Sequence, residues 1–317
     1  MRIKIGAAFA LCIALGLGCA SASKGGLARA DIKLHAEGHM PLGTAKIWPL
    51  SDGEVRLKPS LFQGIPSEEK LKALGVEIEE EELPTSLNAY FIEWGESRIL
   101  VDAGAGVFMG PGAGHVVSAL AERGIAPESI DAVLLTHLHG DHFGGLIEGE
   151  APRFPNATLW VHETEFLFWT NPQLVDSRPE EQREGYAELQ QGVLLFAKTL
   201  NHKLKTFNAE QELFPGLRAM PAPGHTPGHT AFMLESEGQK LLIWGDLAHN
   251  IQLQTAFPKA YPLFDVEPEV AIATRLQWMK KAADEGFWVA GMHLPHPGIG
   301  RLEKAGEQFR FVPMAKE

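Results

Sequence analysis

The stretch LLTHLHGDHFGG, residues 134–145, puts His137, His139, Asp141 and His142 within six positions, behind an apolar run and ahead of two glycines. Each neutral imidazole carries one nitrogen lone pair and a carboxylate carries several, so crowding them is costly unless a cation shares the electrons. His137 and His139 stand two apart, and an extended or tightly turning backbone aims both at one point. Gly140 then permits a sharp reversal before Asp141 and His142. A catalytic zinc normally takes three protein ligands and a water, so four donors exceed one site. The cluster predicts two metal ions and calls for further ligands.

The second half of the chain supplies them. PAPGHTPGHTAF (221–232) sets His225 and His229 in a turn pinned by proline and glycine. LLIWGDLAH (241–249) closes an apolar run with Asp246, a carboxylate able to bridge two cations, and then His249. WVAGMHLPHPGIG (288–300) carries His293 and His296. Each group follows or precedes a predicted strand, where loops build active sites. His35, His39, His115, His162 and His202 lack such a context and read as surface or packing residues.

Outward from these motifs, β-type runs alternate with helical ones. NAYFIEW (88–94) and RILVDAG (98–104) predict a hairpin, and 115–123 a helix. DAVLLTH (131–137) and ATLWVH (157–162) predict strands, and 163–200 two or three helices broken near Pro172 and Pro179. A second series repeats the order: strands at 230–236 and 239–246, a helix at 268–285, and strands at 286–293 and 308–313. Two rounds of strands followed by helix predict one layered α/β domain with sheets inside helices. We assign it to residues 45–317, behind an arm without clear pattern at 23–44.

The first residues, MRIKIGAAFALCIALGLGCASA, read as an export signal over 1–22: Arg2 and Lys4, an apolar stretch too short for a bilayer span, then Ala20-Ser21-Ala22. This predicts a periplasmic or secreted protein. A lipid on Cys19 is the weaker alternative, because Gly16 stands where such a site usually has leucine. The only cysteines, Cys12 and Cys19, fall in this segment, so a chain cut after Ala22 contains no disulfide. The chain of 317 residues is 45% hydrophobic and 21% charged, ordinary for a globular protein with a substantial core. A net charge of −12 without any basic run argues against a nucleic-acid partner.

Taken together, HxHxDH, the Gly-His turn, the strand-end Asp and the late His resemble the metallo-β-lactamase superfamily. The chain is closer to its methyl parathion hydrolase group, which shares dinuclear sites with the acyl-homoserine lactonases. The similarity runs from LSDGEV (50–55) to FRFVP (309–313) and includes LPTSLNAYFI, ILVDAGAG, FPNA, PGHTPGHT, GQKLLIWGD and HPGIG. The resemblance implies an αββα sandwich of two mixed β-sheets flanked by helices. It implies one metal on His137, His139 and His225, the other on Asp141, His142 and His293, with Asp246 bridging. His229 and Asp102 are implied to support the site from outside the ligand set, and a homodimer is implied. Trp169 matches a tryptophan that lines an apolar pocket in that group, and Phe257 and Phe264 join it as candidate pocket residues. His249 departs from the pattern, replacing a lactonase tyrosine or an apolar residue.

Two divalent cations, zinc first among zinc, manganese, cobalt and iron, would hold a bridging hydroxide ready at neutral pH. The expected substrates are lactones or aryl esters, with phosphotriesters as a side reaction. Asp141 and His249 are candidates for proton transfer, and Asp246 for holding the two metals. The competing readings are organophosphate hydrolysis as the main activity, β-lactamase activity, and a metal-binding protein that merely retains the site. Other chemistry finds no support: there is no GxSxG elbow and no HExxH helix, and in ILVDAGAGVFMGPGAG the third glycine of a dinucleotide fingerprint falls on Met109.

Overall fold

The computed structural model describes residues 32–66 and 82–317. The proposed leader, 1–22, and residues 23–31 of the proposed arm lie outside the described residues. Among those described, no helix is long and apolar enough to cross a membrane.

Two seven-stranded mixed sheets face each other. The first runs Met40–Leu42, Ala45–Leu57, Leu83–Trp94, Ser97–Val101, Ala132–Leu134, Thr158–His162 and Leu204–Phe207 in spatial order. The second runs Gln211–Phe214, Leu217–Pro221, Thr230–Ser236, Gln239–Ile243, Trp288–Ala290, Ile299–Ala305 and Gln308–Pro313. The first is antiparallel at its start and parallel from Ser97–Val101 onward; in the second only Gln239–Ile243 and Trp288–Ala290 pair in parallel.

Strand alternation sorts the apolar residues into layers. Tyr90, Ile92, Ile99 and Val101 of the first sheet meet Phe232, Leu234, Leu241 and Ile243 of the second in an inter-sheet core. Their neighbours Phe91, Leu100 and Val133 point the other way, onto Leu120, Val193 and Phe196 of the helices. Met233, Leu242 and Val289 likewise pack on Trp278, Met279 and Ala282 of the helix Pro268–Glu285. Each such side chain contributes about 1.5–3 kcal/mol on burial. Because the central strands are covered on both faces, they read in sequence as unbroken apolar runs rather than alternating ones. The fold is the expected αββα sandwich.

The helix boundaries follow local chemistry. Pro268 opens the long helix where its missing N–H is not needed, and Gly286, at φ 69°, closes it in the left-handed conformation.

Several expectations are corrected. The patternless reading of 23–44 fails at its end: Met40–Leu42 is an edge strand paired with Ala45–Leu57, and both Met40 and Leu42 are fully buried. The 13-residue strand Ala45–Leu57 escaped notice because Asp52-Gly53 breaks its pattern, and there the register shifts between Ser51 and Gly53. The predicted strands at 98–104, 131–137, 239–246 and 286–293 all end early, at Val101, Leu134, Ile243 and Ala290. The residues left over build the site. Asp102 turns there with φ 58°, outside any strand geometry.

Candidate metal centre

His137, His139, Asp141 and His142 leave the first sheet after Ala132–Leu134. Asp141 and His142 occupy the single helical turn Gly140–Phe143. The glycine does not reverse the chain sharply as expected. It begins that turn and leaves room for Phe108, whose ring a Cβ at 140 would meet at 2.9 Å. His225, Asp246 and His293 arrive from loops of the second sheet. The centre therefore straddles the seam between the sheets.

The donors gather as two sets around one carboxylate. Nδ1 of His139 lies 3.0 Å from Nε2 of His137 and 3.0 Å from Nε2 of His225. Nε2 of His142 and of His293 each lie 3.5 Å from Oδ2 of Asp141. Oδ2 of Asp246 sits between the sets, 3.3 Å from Nε2 of His225, 3.6 Å from that of His137, 3.3 Å from that of His142 and 3.0 Å from that of His293. His137, His139, His225 and Asp246, and separately Asp141, His142 and His293, are close enough to share an ion.

The far nitrogen of each ring decides whether a lone pair points inward. His142 Nδ1–H donates to Asp102 Oδ2 at 2.7 Å, and His225 Nδ1–H to Asp265 Oδ1 at 2.7 Å. His293 Nδ1–H donates to the Ser86 carbonyl at 3.1 Å. Thr136 Oγ1 gives its own proton to Asp102 Oδ2 at 2.8 Å, so at 3.0 Å from His137 Nδ1 it accepts. Four Nε2 lone pairs therefore converge. Asp246 Oδ1 and His142 Nε2 are buried without a hydrogen-bond partner, as groups awaiting a cation are. The residues fit a pair of divalent ions.

His229 is excluded from that set by its own bonds. Its Nδ1–H donates to Ala222 O at 2.9 Å and its Nε2 accepts from Asp246 N at 3.0 Å, so it holds the carboxylate's backbone. Asp102 accepts from Thr136 N, Thr136 Oγ1 and His142 Nδ1.

The electrostatics point the same way. Burial acts against the charged form of every group. For His142 and His293 the charges of Asp246 and Asp141 outweigh it and raise both above the ordinary histidine value. Burial is likewise overcome at His225, which bonds to Asp246 and Asp265 carry up to about 9. The carboxylates of Asp246 and Asp141 are held low despite burial, chiefly by His142 and His293. The pocket thus demands positive charge, which divalent cations satisfy. His137, His139, His229 and His249 go the other way: burial and neighbouring histidines hold His137 and His139 well below the ordinary value, and burial lowers His229 and His249 to about 3 and about 4.

His249 approaches Asp246 Oδ2 with Nε2 at 3.1 Å and stacks on His293 with ring centres 4.9 Å apart. Its Nδ1 is buried without a hydrogen-bond partner, while its Nε2–H donates to the ionised Asp246 Oδ2. Phe264 lies at the site, 4.9 Å from the His249 ring and 6.0 Å from that of His225. Phe257 does not; it packs with Phe62, Leu83 and Leu253 in a separate small cluster. Trp169 needs a different role from the one expected. It is fully buried, tied through Nε1 to Glu165 Oε1 at 2.8 Å, and backs His139 edge-on at 5.5 Å rather than facing open space. His296 turns away to Asn88 Oδ1 at 2.9 Å.

Sequence reasoning missed Thr136, Asp265 and Arg275. Arg275, nearly fully buried, donates to the carbonyls of Leu247 and Ala260 and lies 3.4 Å from Asp265 Oδ2. The only trace in sequence is an acid inside an apolar stretch, PLFDV (262–266), which alone does not single it out.

The fold and this centre define a metal-dependent hydrolase, and the family model of the metallo-beta-lactamase superfamily matches residues 84–285; the chain belongs to that superfamily. Among solved structures it is similar to the hydrolase AbOPH of the beta lactamase superfamily, at 32% identity and a TM-score of 0.82 over 88% of this chain and 97% of that one. It is also similar to AidC, a dizinc quorum-quenching lactonase solved with the product N-hexanoyl-L-homoserine, at 25% identity and a TM-score of 0.78 over the same shares. Among curated proteins it is 30% identical to YobT of Bacillus subtilis (strain 168), over 56% of this chain and 71% of that protein. It is 25% identical to an N-acyl homoserine lactonase of Bacillus thuringiensis, over 58% of this chain and 72% of that enzyme.

Proposed function

We propose that this chain is a dinuclear hydrolase that opens lactones and cleaves aryl esters. One observation carries the reading: four imidazole lone pairs with fixed tautomers converge on Asp246 Oδ2, which lies between two three-residue donor sets. His137, His139 and His225 would hold one ion, Asp141, His142 and His293 the other, and Asp246 both. When bound, two divalent cations supply an activated water and an acid for the carbonyl oxygen. The surrounding residues then position and move protons. Asp102, Asp265, Thr136 and Ser86 O keep His142, His225, His137 and His293 turned inward. Asp141, held well below the ordinary carboxylate range, is ionised at rest and accepts a proton rather than donating one. His249, neutral and with Nε2–H turned to Asp246, would take the proton of the attacking water at Nδ1 and pass it to the leaving alkoxide.

The lactonase AidC and the N-acyl homoserine lactonase of Bacillus thuringiensis support the lactone reading over the phosphotriester one. So does His249, a polar group on a wall that bulky apolar phosphotriesters would need bare. Export through 1–22 and a homodimer belong to the same proposal, tested by the N-terminus of the secreted protein and by light scattering.

The test is metal analysis of purified protein beside kcat/KM on dihydrocoumarin, phenyl acetate, paraoxon and nitrocefin. We expect two equivalents of metal and the highest kcat/KM on the lactone or aryl ester. Paraoxon ahead of both would favour organophosphate hydrolysis, nitrocefin ahead would favour a β-lactamase, and two bound metals with no turnover a protein that only binds them.

A further inference from the structure

Glu165 sits in the first turn of the helix Glu163–Thr170 and is fully buried. Its Oε1 accepts from Leu138 N at 2.9 Å and from Trp169 Nε1 at 2.8 Å, and its Oε2 accepts from Gly228 N at 3.0 Å. Leu138 stands between His137 and His139. Gly228 follows His225 by three residues in the same turn. One carboxylate thus ties together the two backbone segments that present His137, His139 and His225, although these come from different sheets.

The contact is built for this side chain. Three N–H donors and the Thr226 hydroxyl face the carboxylate, and the N–H donors on its two sides require a group that accepts at both oxygens. Helix and turn touch directly as well: a Cβ on Gly228 would stand 2.2 Å from Glu165 N, which restricts that position to glycine. Trp169, held by the same carboxylate, backs the ring of His139. The remaining donors are anchored elsewhere, His142 by Asp102 and His293 by Ser86 O.

We propose that Glu165 is a positioning residue serving one of the two metal sites: it locks His137, His139 and His225 into a single donor set, and its loss frees the ion there while the ion at Asp141, His142 and His293 stays. The proposal rests on the dinuclear reading above. In Glu165→Gln an amide nitrogen must face either Gly228 N–H or the N–H groups of Leu138 and Trp169, donor against donor.

The experiment is stepwise chelation of zinc-loaded protein, counting retained equivalents. Wild type should hold two; fewer would sink the dinuclear reading, whatever Glu165 does. Glu165→Gln should release one equivalent roughly 10- to 100-fold more readily and keep the other as wild type does. Placed in a His225→Ala background, which leaves only the second site, Glu165→Gln should change nothing. Cobalt-loaded protein should show the absorption bands of one site altered and the other intact. Release of both ions together, or of neither, overturns the proposal. Should Glu165→Gln not fold, as circular dichroism reads it, Gly228→Ala opens the same contact from the opposite side. It must then give the same one-ion loss, and retention of both ions overturns the proposal.

Discussion

Asp265 Oδ1 accepts the Nδ1 proton of His225 at 2.7 Å, while its other oxygen lies 3.4 Å from Arg275 Nη2. The acid thereby holds an imidazole lone pair inward and keeps a buried guanidinium company. Asp265→Asn removes the charge and lets an amide N–H compete at Nδ1. Metal affinity should fall about 10- to 100-fold, as the loss of such partners usually costs. Arg275 keeps its carbonyl partners but loses its counter-ion, so stability should drop by about 3 kcal/mol. Zinc titration and urea unfolding measure the two effects separately.

His139→Ala removes a donor whose ring sits on a loop, not in the inter-sheet core. Lactone and ester hydrolysis should vanish, with bound metal reduced and the circular dichroism spectrum unchanged. Residual turnover at wild-type rate would remove His139 from the centre.

His249 offers the sharpest distinction between substrates. Replacing it with leucine removes a proton carrier and makes the wall apolar. Lactone kcat/KM should fall about 10²-fold, the scale of one lost proton-transfer group. Paraoxon turnover should hold or rise, because its aryloxide leaves without a proton. Equal losses on both substrates would show that His249 acts only by holding Asp246.

The metal-free protein should lose stability as the solution is made acidic. His229 and His249 have folded values of about 3 and about 4 against an ordinary 6.5, so both are neutral in the folded chain while the unfolded chain takes up their protons. Their contribution is fully present above 6.5 and is lost as pH falls toward 4 and then 3. Each proton adds at most about 1.4 kcal/mol per pH unit to the slope. His225, raised to about 9, works in the opposite window: its contribution is present below 6.5 and lost as pH rises through 9. Melting temperature against pH after chelation checks this, and His249→Asn should flatten the acidic limb.

Much of this was legible in the sequence because the donor residues are rare, clustered and placed at the ends of apolar runs. The helix 268–285 and the strands 230–236 and 308–313 were legible to the residue, since proline, glycine and turn residues mark their ends. Strand ends near the site were not. VLLTH and LLIWGD stay apolar while the backbone has already left the sheet, and periodicity does not separate a buried strand from a buried loop. The strand Ala45–Leu57 hid behind its own irregularity at Asp52-Gly53. Glu165, Asp265 and Arg275 were invisible for another reason: each acts through residues from about 10 to more than 60 positions away, and a lone charge in an apolar stretch reads like any solvated one.

Because four of the seven donors hang from one sheet and three from the other, the alignment of the two slabs is itself a tuning parameter for the centre. Shaving Phe232 or Ile92, which pack in the inter-sheet core, should therefore change metal affinity without touching a donor. Laboratory evolution of this enzyme should accordingly find beneficial changes in the greasy middle of the sandwich as often as at the mouth, and their signature will be altered metal preference.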